Sequence, residues 1–199
     1  MELEQVKNII EAALLVSEEP LGQQQLLHLF EQEELAKTDI SNALEALQTD
    51  YQGRGIELKK LASGYQLQSS AQMQPWLSRL WQQKPRPYSR AFLETLALIA
   101  YRQPITRGEI EDIRGVAVSS KIIQSLMERE WIRILGYRDA PGKPAMLGTT
   151  KTFLDYFGLS SLEELPSLAE IKDIETLEPE LEFASENTTE TEAKTDEHT

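Results

Sequence analysis

The sequence predicts a mainly α protein of the α+β class, built as two tandem winged-helix domains followed by an acidic C-terminal tail. Three stretches with the apolar spacing of helices, followed by two strand-like stretches, occur within residues 1–70 and again within residues 89–158. A short Pro-rich linker over residues 84–88 separates the two copies. A helix, helix, helix, hairpin order that occurs twice is what predicts the tandem architecture.

The first domain is predicted over residues 1–83. Its predicted elements are helices over 1–16, around 26–30 and over 38–51, a hairpin over 56–68, and a short helix over 71–83. Pro20 ends the first helix, because the residue before a proline disfavours helical backbone. Thr38 or Asp39 can cap the third helix, and Ser63 with Gly64 makes the turn between the strands.

The second domain is predicted over residues 89–168. Its predicted elements are helices over 89–101, over 106–114 and from Ser119 or Ser120, strands over 131–137 and 145–148, and a last helix over 149–158. Ser89 is the expected cap of the first of these helices. Thr106 and Glu109 have the T-x-x-E spacing of a capping box, so a helix is expected to begin there.

Charge divides the chain into three parts. The net charge is −6 over residues 1–83, +4 over 84–158 and −11 over 159–199, which together give −13. Residues 169–199 are rich in Glu, Thr, Ser and Ala and hold few apolar groups. Such a segment cannot offset the entropy of ordering by burial, so we expect a disordered tail.

Several classes of function find no support in the composition. The chain has no cysteine, which excludes disulfides, thiolate catalysis and Cys-based zinc sites. It has no apolar run of about 18 residues and no secretory signal pattern, so we expect a cytoplasmic protein without a membrane partner. Neither His28 nor His198 lies in a nucleophile motif, and Gly142-Lys143-Pro144 lacks the full P-loop pattern. We therefore expect no catalytic, cofactor-binding or metal-binding residues.

Several motifs, in order along the chain, resemble the segregation and condensation protein B (ScpB) family. They are residues 9–16, 19–21, 94–107, 113–116, 142–144 and 148–159. The resemblance extends over about residues 1–168 and assigns no role to the tail. It implies a non-enzymatic subunit of the bacterial condensin, a nucleoid-associated homodimer formed mainly by the N-terminal winged helices. By the same resemblance, the dimer binds the kleisin ScpA, which bridges the heads of the SMC ATPase, and the complex condenses and segregates chromosomes.

The predicted helix over 89–101 is apolar on every side near its end, whereas a surface helix has one apolar stripe. It must therefore be covered from two directions, by the last helix, by a partner helix lying in a groove, or by both. The predicted partner-binding residues are an apolar set with basic rim residues: Arg90, Leu93, Leu96, Ala97, Ala100, Tyr101, Arg102 and Arg107.

The apolar stripe of the first helix has two interpretations. Its residues are Leu3, Val6, Ile10 and Leu14. They either pack into the core of the first domain or form a self-association surface, since two-fold contacts are the commonest route to a homodimer. At this level both interpretations stay open.

A winged-helix transcription regulator that binds duplex DNA is the alternative function. In the first domain, the helix that would enter the groove carries Asp39, Glu45 and Asp50, which repel phosphates. The corresponding helix of the second domain is close to neutral. Weak or indirect DNA contact is expected from four cations, namely Lys121, Arg133, Arg138 and Lys143.

Overall fold

The computed structural model describes residues 1–80 and 87–167. Within these ranges, three helices followed by an antiparallel hairpin occur twice, and the second set is followed by one more helix. The fold is therefore a mixture of helix and strand. Most of the predicted linker, the end of the helix predicted over 71–83 and the predicted tail lie outside the described residues.

The first set has the predicted order of elements. Its bounds are α1 Leu3–Val16, α2 Gln23–His28, α3 Lys37–Asp50, β1 Ile56–Lys60 and β2 Tyr65–Ser69. A short α4, Gln74–Leu77, follows between two 3₁₀ turns, Ala71–Met73 and Ser78–Leu80. The described part of the helix predicted over 71–83 is thus three short turns, and Pro75 at the start of α4 cannot continue a preceding hydrogen-bond ladder.

The second set contains one strand that was not predicted. Its bounds are α5 Arg90–Arg102, β3 Ile105–Thr106, α6 Arg107–Arg114, α7 Ser120–Glu128, β4 Ile132–Tyr137, β5 Ala145–Thr149 and α8 Lys151–Tyr156. A 3₁₀ turn, Leu162–Glu164, comes last. The sheet has the order β3-β5-β4, with both pairs antiparallel. A two-residue strand such as β3 is too short to show alternation in the sequence.

The start of α3 differs from the prediction. The helix begins at Lys37, so neither Thr38 nor Asp39 is its N-cap. The Asp39 carboxylate instead accepts the Ala36 backbone N–H at 2.8 Å from the third helical position. The same acidic residue therefore supplies half of a capping box rather than the cap itself.

The apolar stripe of α1 packs into the core of the first unit. Val6, Ile10 and Leu14 are buried in one cluster with side chains of α2, α3 and β1. Only Leu3 of the predicted self-association residues is half exposed. Of the two interpretations of this stripe, packing into the core of the first unit therefore describes three of its four residues, because α1 must bury them to hold α3.

The second unit has a core of its own, centred on α5 and Trp131. Phe92, Leu96 and Ile99 of α5 are buried in it. The Trp131 ring lies 6.1 Å from the Phe92 ring and 4.5 Å from the Tyr156 ring, centroid to centroid. Such aromatic pairs add specific geometry to the burial of apolar area. They fix α8 against the start of β4.

The first hairpin contacts the end of α8. The Ser63 backbone N–H donates to the Asp155 carboxylate at 3.0 Å, and the Ala62 N–H donates to the Leu159 carbonyl at 3.1 Å. Gly64 is required in this turn, since an added Cβ would lie 2.3 Å from the Leu21 backbone. The turn is therefore held between the chain before α2 and the chain after α8.

The predicted capping box at the start of α6 is confirmed. The Glu109 carboxylate accepts the Thr106 backbone N–H at 2.8 Å, and the Thr106 hydroxyl accepts the Glu109 N–H at 3.3 Å. Arg138, on the hairpin, lies 3.0 Å from the same carboxylate. The hydrogen bonds from Thr106, with the charge of Arg138, hold the pKa of Glu109 below its ordinary value of 4.5.

We expect Glu109→Gln to lower the free energy of unfolding near neutral pH. A lowered pKa in the folded state gives stability that is present above about pH 4.5 and is lost as pH falls through the folded pKa. The difference between wild type and variant should therefore narrow below about pH 4.5, as measured by urea unfolding over a pH series. Glu45→Gln, an exposed glutamate on α3, is the matched control. A difference that stays constant over the series would contradict the assignment.

Candidate protein-binding groove

An apolar groove of about 390 Å³ lies on the outer side of α5. Its α5 wall is formed by Leu93, Leu96, Ala97, Ala100 and Tyr101. The opposite wall is formed by Phe153, Phe157, Leu159, Leu165 and Pro166. All five apolar residues that were predicted on α5 for partner binding therefore lie together on one surface.

The sequence of α5 explains why the helix has two apolar faces. Residues at positions 93, 97 and 100 are one helical turn apart, so their side chains share a face. Phe92, Ile99 and Thr95 point into the core, where the Thr95 hydroxyl donates to the Ala91 carbonyl at 2.8 Å. One face is covered by the core of the unit, and the other is only partly covered by α8. The last helix therefore covers this second face only in part, and a groove remains beside it.

The groove wall opposite α5 begins with α8. The Thr150 hydroxyl caps this helix by accepting the Phe153 N–H at 3.1 Å. Phe153 is buried, whereas Phe157 is 42% exposed and lies 5.3 Å from the Trp131 ring, centroid to centroid. The helix ends at Tyr156, and Gly158, which follows the C-cap Phe157, has a φ of +70° in the left-handed region. The exposed face of Phe157 is thus available to the groove.

The chain after α8 closes the groove at its far side. The Leu159 N–H donates to the Leu154 carbonyl at 2.8 Å, so the backbone turns back at the end of the helix. The Tyr101 hydroxyl donates to the Pro166 carbonyl at 2.6 Å, which ties the segment to α5. Leu165 packs against the core beside it. The groove is therefore bounded by residues that are up to 73 positions apart, from 93 to 166.

The predicted basic rim is only partly present. The Arg90 guanidinium lies 2.8 Å from Glu94, which also pairs with Arg114 at 3.1 Å. The hydrogen bond from Arg90, together with Arg114, lowers the pKa of Glu94 despite its partial burial. Arg102 is exposed next to Tyr101. Neither Arg90 nor Arg102 lines the groove; they are the first and last residues of α5, on either side of its groove-lining positions in the chain.

Arg107, the third predicted rim residue, does not line the groove. Its guanidinium bonds to the Glu111 carboxylate at 3.0 Å and the Ser120 hydroxyl at 3.0 Å. It also donates to the Val118 carbonyl. These contacts tie the start of α6 to the start of α7, so the side chain has a local structural role.

The groove also has residues that the sequence did not single out. The wall after α8, formed by Leu159, Leu165 and Pro166, was not predicted. No local signal marks it, because Leu165 and Pro166 belong to a segment without regular spacing. The apolar positions Phe153 and Phe157 could be found, since they lie one turn apart on a predicted helix.

The four cations predicted for weak DNA contact lie on several elements. Lys121 is exposed on α7, Arg133 on β4 and Lys143 in the hairpin turn. Arg138 is paired with Glu109 at 3.0 Å. Arg129, the residue after α7, is also engaged, because its guanidinium lies over the Trp131 ring, 5.5 Å from the ring centroid. This surface offers fewer free cations than its sequence suggests.

Residues 1–80 and 87–167 are the part of the chain that the structure describes. They contain no cluster of three or more His, Cys, Asp or Glu side chains able to hold a metal ion. Within the same residues, no helix is long and apolar enough to cross a membrane. An apolar surface rather than a polar cluster is thus the main candidate site of the described chain.

Comparison with known proteins identifies the family. The family described as "Segregation and condensation complex subunit ScpB" matches residues 8–168. The chain belongs to the ScpB family. A segregation and condensation protein B homolog from Coxiella burnetii is 58% identical over 173 residues, which cover 86% of this chain and 83% of the homolog. Segregation and condensation protein B of Bacillus subtilis is 39% identical over 184 residues, 91% of each chain.

Two solved ScpB structures are also similar in sequence. ScpB from Mycobacterium tuberculosis is 30% identical, with a TM-score of 0.38, and the match covers 80% of this chain and 98% of that one. A dimer of an ScpB N-terminal domain complexed with an ScpA peptide is 28% identical, with a TM-score of 0.36, and covers 40% of this chain and 98% of that one. The ScpB family predicted from the sequence motifs is confirmed by the family match.

We expect Tyr101→Phe to loosen the segment that closes the groove. The variant keeps the aromatic ring but removes the hydroxyl that donates to Pro166, a bond worth about 0.5–1.5 kcal/mol. Amide hydrogen exchange over residues 160–167 should therefore become faster, while exchange in α5 stays unchanged. Tyr137→Phe, which changes an exposed tyrosine on β4, is the matched control. Equal exchange in the two variants would show that the hydroxyl does not hold the segment.

Proposed function

We propose that this ScpB family member is a non-catalytic subunit of a bacterial SMC–kleisin complex. In this proposal it forms a homodimer, binds the kleisin ScpA and reaches the SMC ATPase through that kleisin. It acts in the cytoplasm at the nucleoid, where the complex condenses and segregates chromosomes. The observation that carries the proposal is the apolar groove on α5, and the family description as a complex subunit supports it.

The proposed organisation is that of two winged-helix domains. They comprise residues 1–83 and 89–168, with a linker over 84–88 and an acidic tail after 168. Two separate apolar clusters, one within residues 6–67 and one within 88–165, support this division. So does the order of three helices and a hairpin in each unit.

The groove suits one apolar face of a partner helix. Its α5 wall runs from Leu93 to Tyr101, a length of about 12 Å at 1.5 Å per residue, or roughly two helical turns. A helix lying in such a groove uses anchors at i, i+3, i+4 and i+7. Arg90 and Arg102, at the two ends of α5, favour acidic residues flanking those anchors, and these charges should affect the association rate more than the affinity.

The homodimer needs a surface other than the buried stripe of α1. The C-terminal turn of the same helix offers one, since Leu15 is 73% exposed and Val16 is 80% exposed. Two adjacent large apolar side chains at that level of exposure are typical of a surface that a partner covers. We propose that the two copies meet at this end of α1.

The geometry supports direct DNA binding less well than it supports kleisin binding at the groove. Affinity for DNA depends on neutralising phosphates with free cations. Arg138 is paired with Glu109, Arg107 is bonded within α6 and α7, and Gln124 donates to Glu128 on α7. Weak contact through Lys121, Arg133 and Lys143 is compatible with this surface, with the kleisin as the main partner.

We expect Ala97→Arg to weaken binding of a central ScpA fragment by at least about tenfold, or about 1.4 kcal/mol. Ala97 is exposed within the groove, so the new side chain blocks the groove and places a charge on an apolar surface without disturbing the core. Binding is measured by fluorescence anisotropy with labelled fragment, and duplex DNA is titrated in parallel over a salt series.

Ala117→Arg is the matched control, because Ala117 is an exposed alanine of the α6–α7 connection outside the groove. It should bind the fragment within about twofold of wild type, since surface substitutions away from a site change free energies by about 0.5 kcal/mol or less. Equal affinities of Ala97→Arg and wild type would exclude the groove as the site. Tight, sequence-selective DNA binding without fragment binding would overturn the proposed function.

We expect the wild-type chain to be a dimer at micromolar concentration and Leu15→Glu to shift it toward monomer. The substitution places a carboxylate in an apolar contact, where an unpaired charge is costly. Analytical ultracentrifugation over a concentration series measures the shift. Leu80→Glu is the control, because Leu80 is 72% exposed and lies in the turn Ser78–Leu80. A wild-type chain that stays monomeric would contradict the proposed dimer.

A further inference from the structure

The described chain reaches its end at the groove itself. Leu165 and Pro166 form part of the groove wall, and the Pro166 carbonyl is held by the Tyr101 hydroxyl at 2.6 Å. Residue 167 is the last one described. The sequence continues for 32 residues beyond it. The following residues therefore start their path beside an apolar surface that is only partly covered.

The residues that follow have an apolar side chain at every third position. These positions are Leu168, Ile171, Ile174 and Leu177, and Pro179 interrupts the pattern. Four such side chains are too few to form a core of their own. They can still remove apolar area from water when they lie against an existing apolar surface, at about 25 cal/mol per Å². The pattern thus matches the chemistry of the groove.

Charge also favours contact between this segment and the second unit. Residues 168–178 carry a net charge of −3, whereas residues 84–158 carry +4. The acidic side chains lie between the apolar ones, so apolar contacts and rim contacts do not compete for the same positions. Arg102 is exposed and directly follows Tyr101 of the groove wall in the chain. Complementary potentials of this kind favour a specific orientation.

We propose that residues 168–178 of the chain itself occupy the groove on α5 when no partner is bound. Leu168, Ile171, Ile174 and Leu177 lie against the wall formed by Leu93, Ala97 and Phe157. Because the segment is tethered directly at Pro166, its effective concentration at the groove is high, in the millimolar range for short linkers. Weak intrinsic contacts are therefore sufficient for occupancy.

The consequence for partner binding rests on the proposed function. A kleisin segment that enters the same groove must displace residues 168–178, so the apparent affinity falls by the fraction of molecules in which the groove is occupied. The ordering is intramolecular and reversible. The tail thus lowers the apparent affinity for the partner but does not prevent partner binding.

A disulfide test in the full-length chain reports occupancy directly. The chain has no cysteine, so Ala97→Cys with Ile174→Cys introduces the only two thiols. A disulfide needs Cα atoms within about 4.4–6.8 Å of each other, so the bond forms only when residue 174 lies in the groove against position 97. Formation of the intramolecular bond under mild oxidation is followed by non-reducing electrophoresis and by mass. Unchanged thermal unfolding of the reduced variants confirms that they are folded.

The matched control keeps the same tether and removes the apolar contacts. Ile171→Ser and Leu177→Ser are added to the two cysteines, so chain length and thiol positions are unchanged. We expect the intramolecular disulfide to form at least about tenfold more slowly in this control, since docking no longer raises the local thiol concentration. In a second control, Ala117→Cys replaces Ala97→Cys as an exposed position outside the groove, and it should be equally slow.

The outcomes separate this inference from the proposed function. Equal rates of intramolecular disulfide formation in the test pair and the serine control would overturn tail docking, and this result does not depend on whether the chain binds the kleisin. Covalent dimers without intramolecular product also overturn it, because the occupant would then be a second copy. If the disulfide forms faster in the test pair than in the controls, and bound ScpA fragment slows its formation, both docking of the tail and competition with the kleisin are supported. If the disulfide forms faster in the test pair but bound ScpA fragment does not slow its formation, docking of the tail is supported and the groove is not the kleisin site.

Discussion

The packing of α8 against α5 is the contact on which the rest of the second unit depends. Trp131 stands between the two helices, with Tyr156 and Phe157 of α8 on one side and Phe92 of α5 on the other. This aromatic cluster places α8 over only part of the second apolar face of α5. The uncovered part, from Leu93 to Tyr101, becomes the groove. A helix that is apolar on two faces is stable here because neither face is left wholly in water.

The end of α8 connects the groove with the first unit. Asp155 accepts the Ser63 N–H, and the Leu159 carbonyl accepts the Ala62 N–H, so the first hairpin is held by the same turn that forms the groove wall. Loss of either hydrogen bond would leave a partly buried donor without its acceptor, which is costly. The position of this one short helix therefore determines both the shape of the groove and a contact between the two units.

Charge pairing leaves the second unit with less free positive charge than its sequence suggests. Three of its arginines are held by glutamates of the same unit, as Arg107–Glu111, Arg114–Glu94 and Arg138–Glu109. The pairs order the α5–α6–α7 region. The pKa of each of these carboxyls is lowered chiefly by another hydrogen bond, from Arg90 to Glu94, from the Thr106 backbone to Glu109 and from the Val118 backbone to Glu111, and the paired arginine lowers it further. A cation held in this way contributes less to neutralising phosphates. The net charge of +4 over residues 84–158 therefore overstates the free positive charge of the surface.

Local signals in the sequence determined the order of elements, the Thr106–Glu109 capping box and the unusual apolarity of α5, because each depends on residues three or four positions apart. Periodicity shows that a side chain must be covered, but not by what. Only the tertiary structure decided that Val6, Ile10 and Leu14 are covered within the first unit, whereas part of α5 is not. It also brought Pro166 to Tyr101 across 65 positions, a contact that no local pattern encodes because chain folding alone makes the two neighbours.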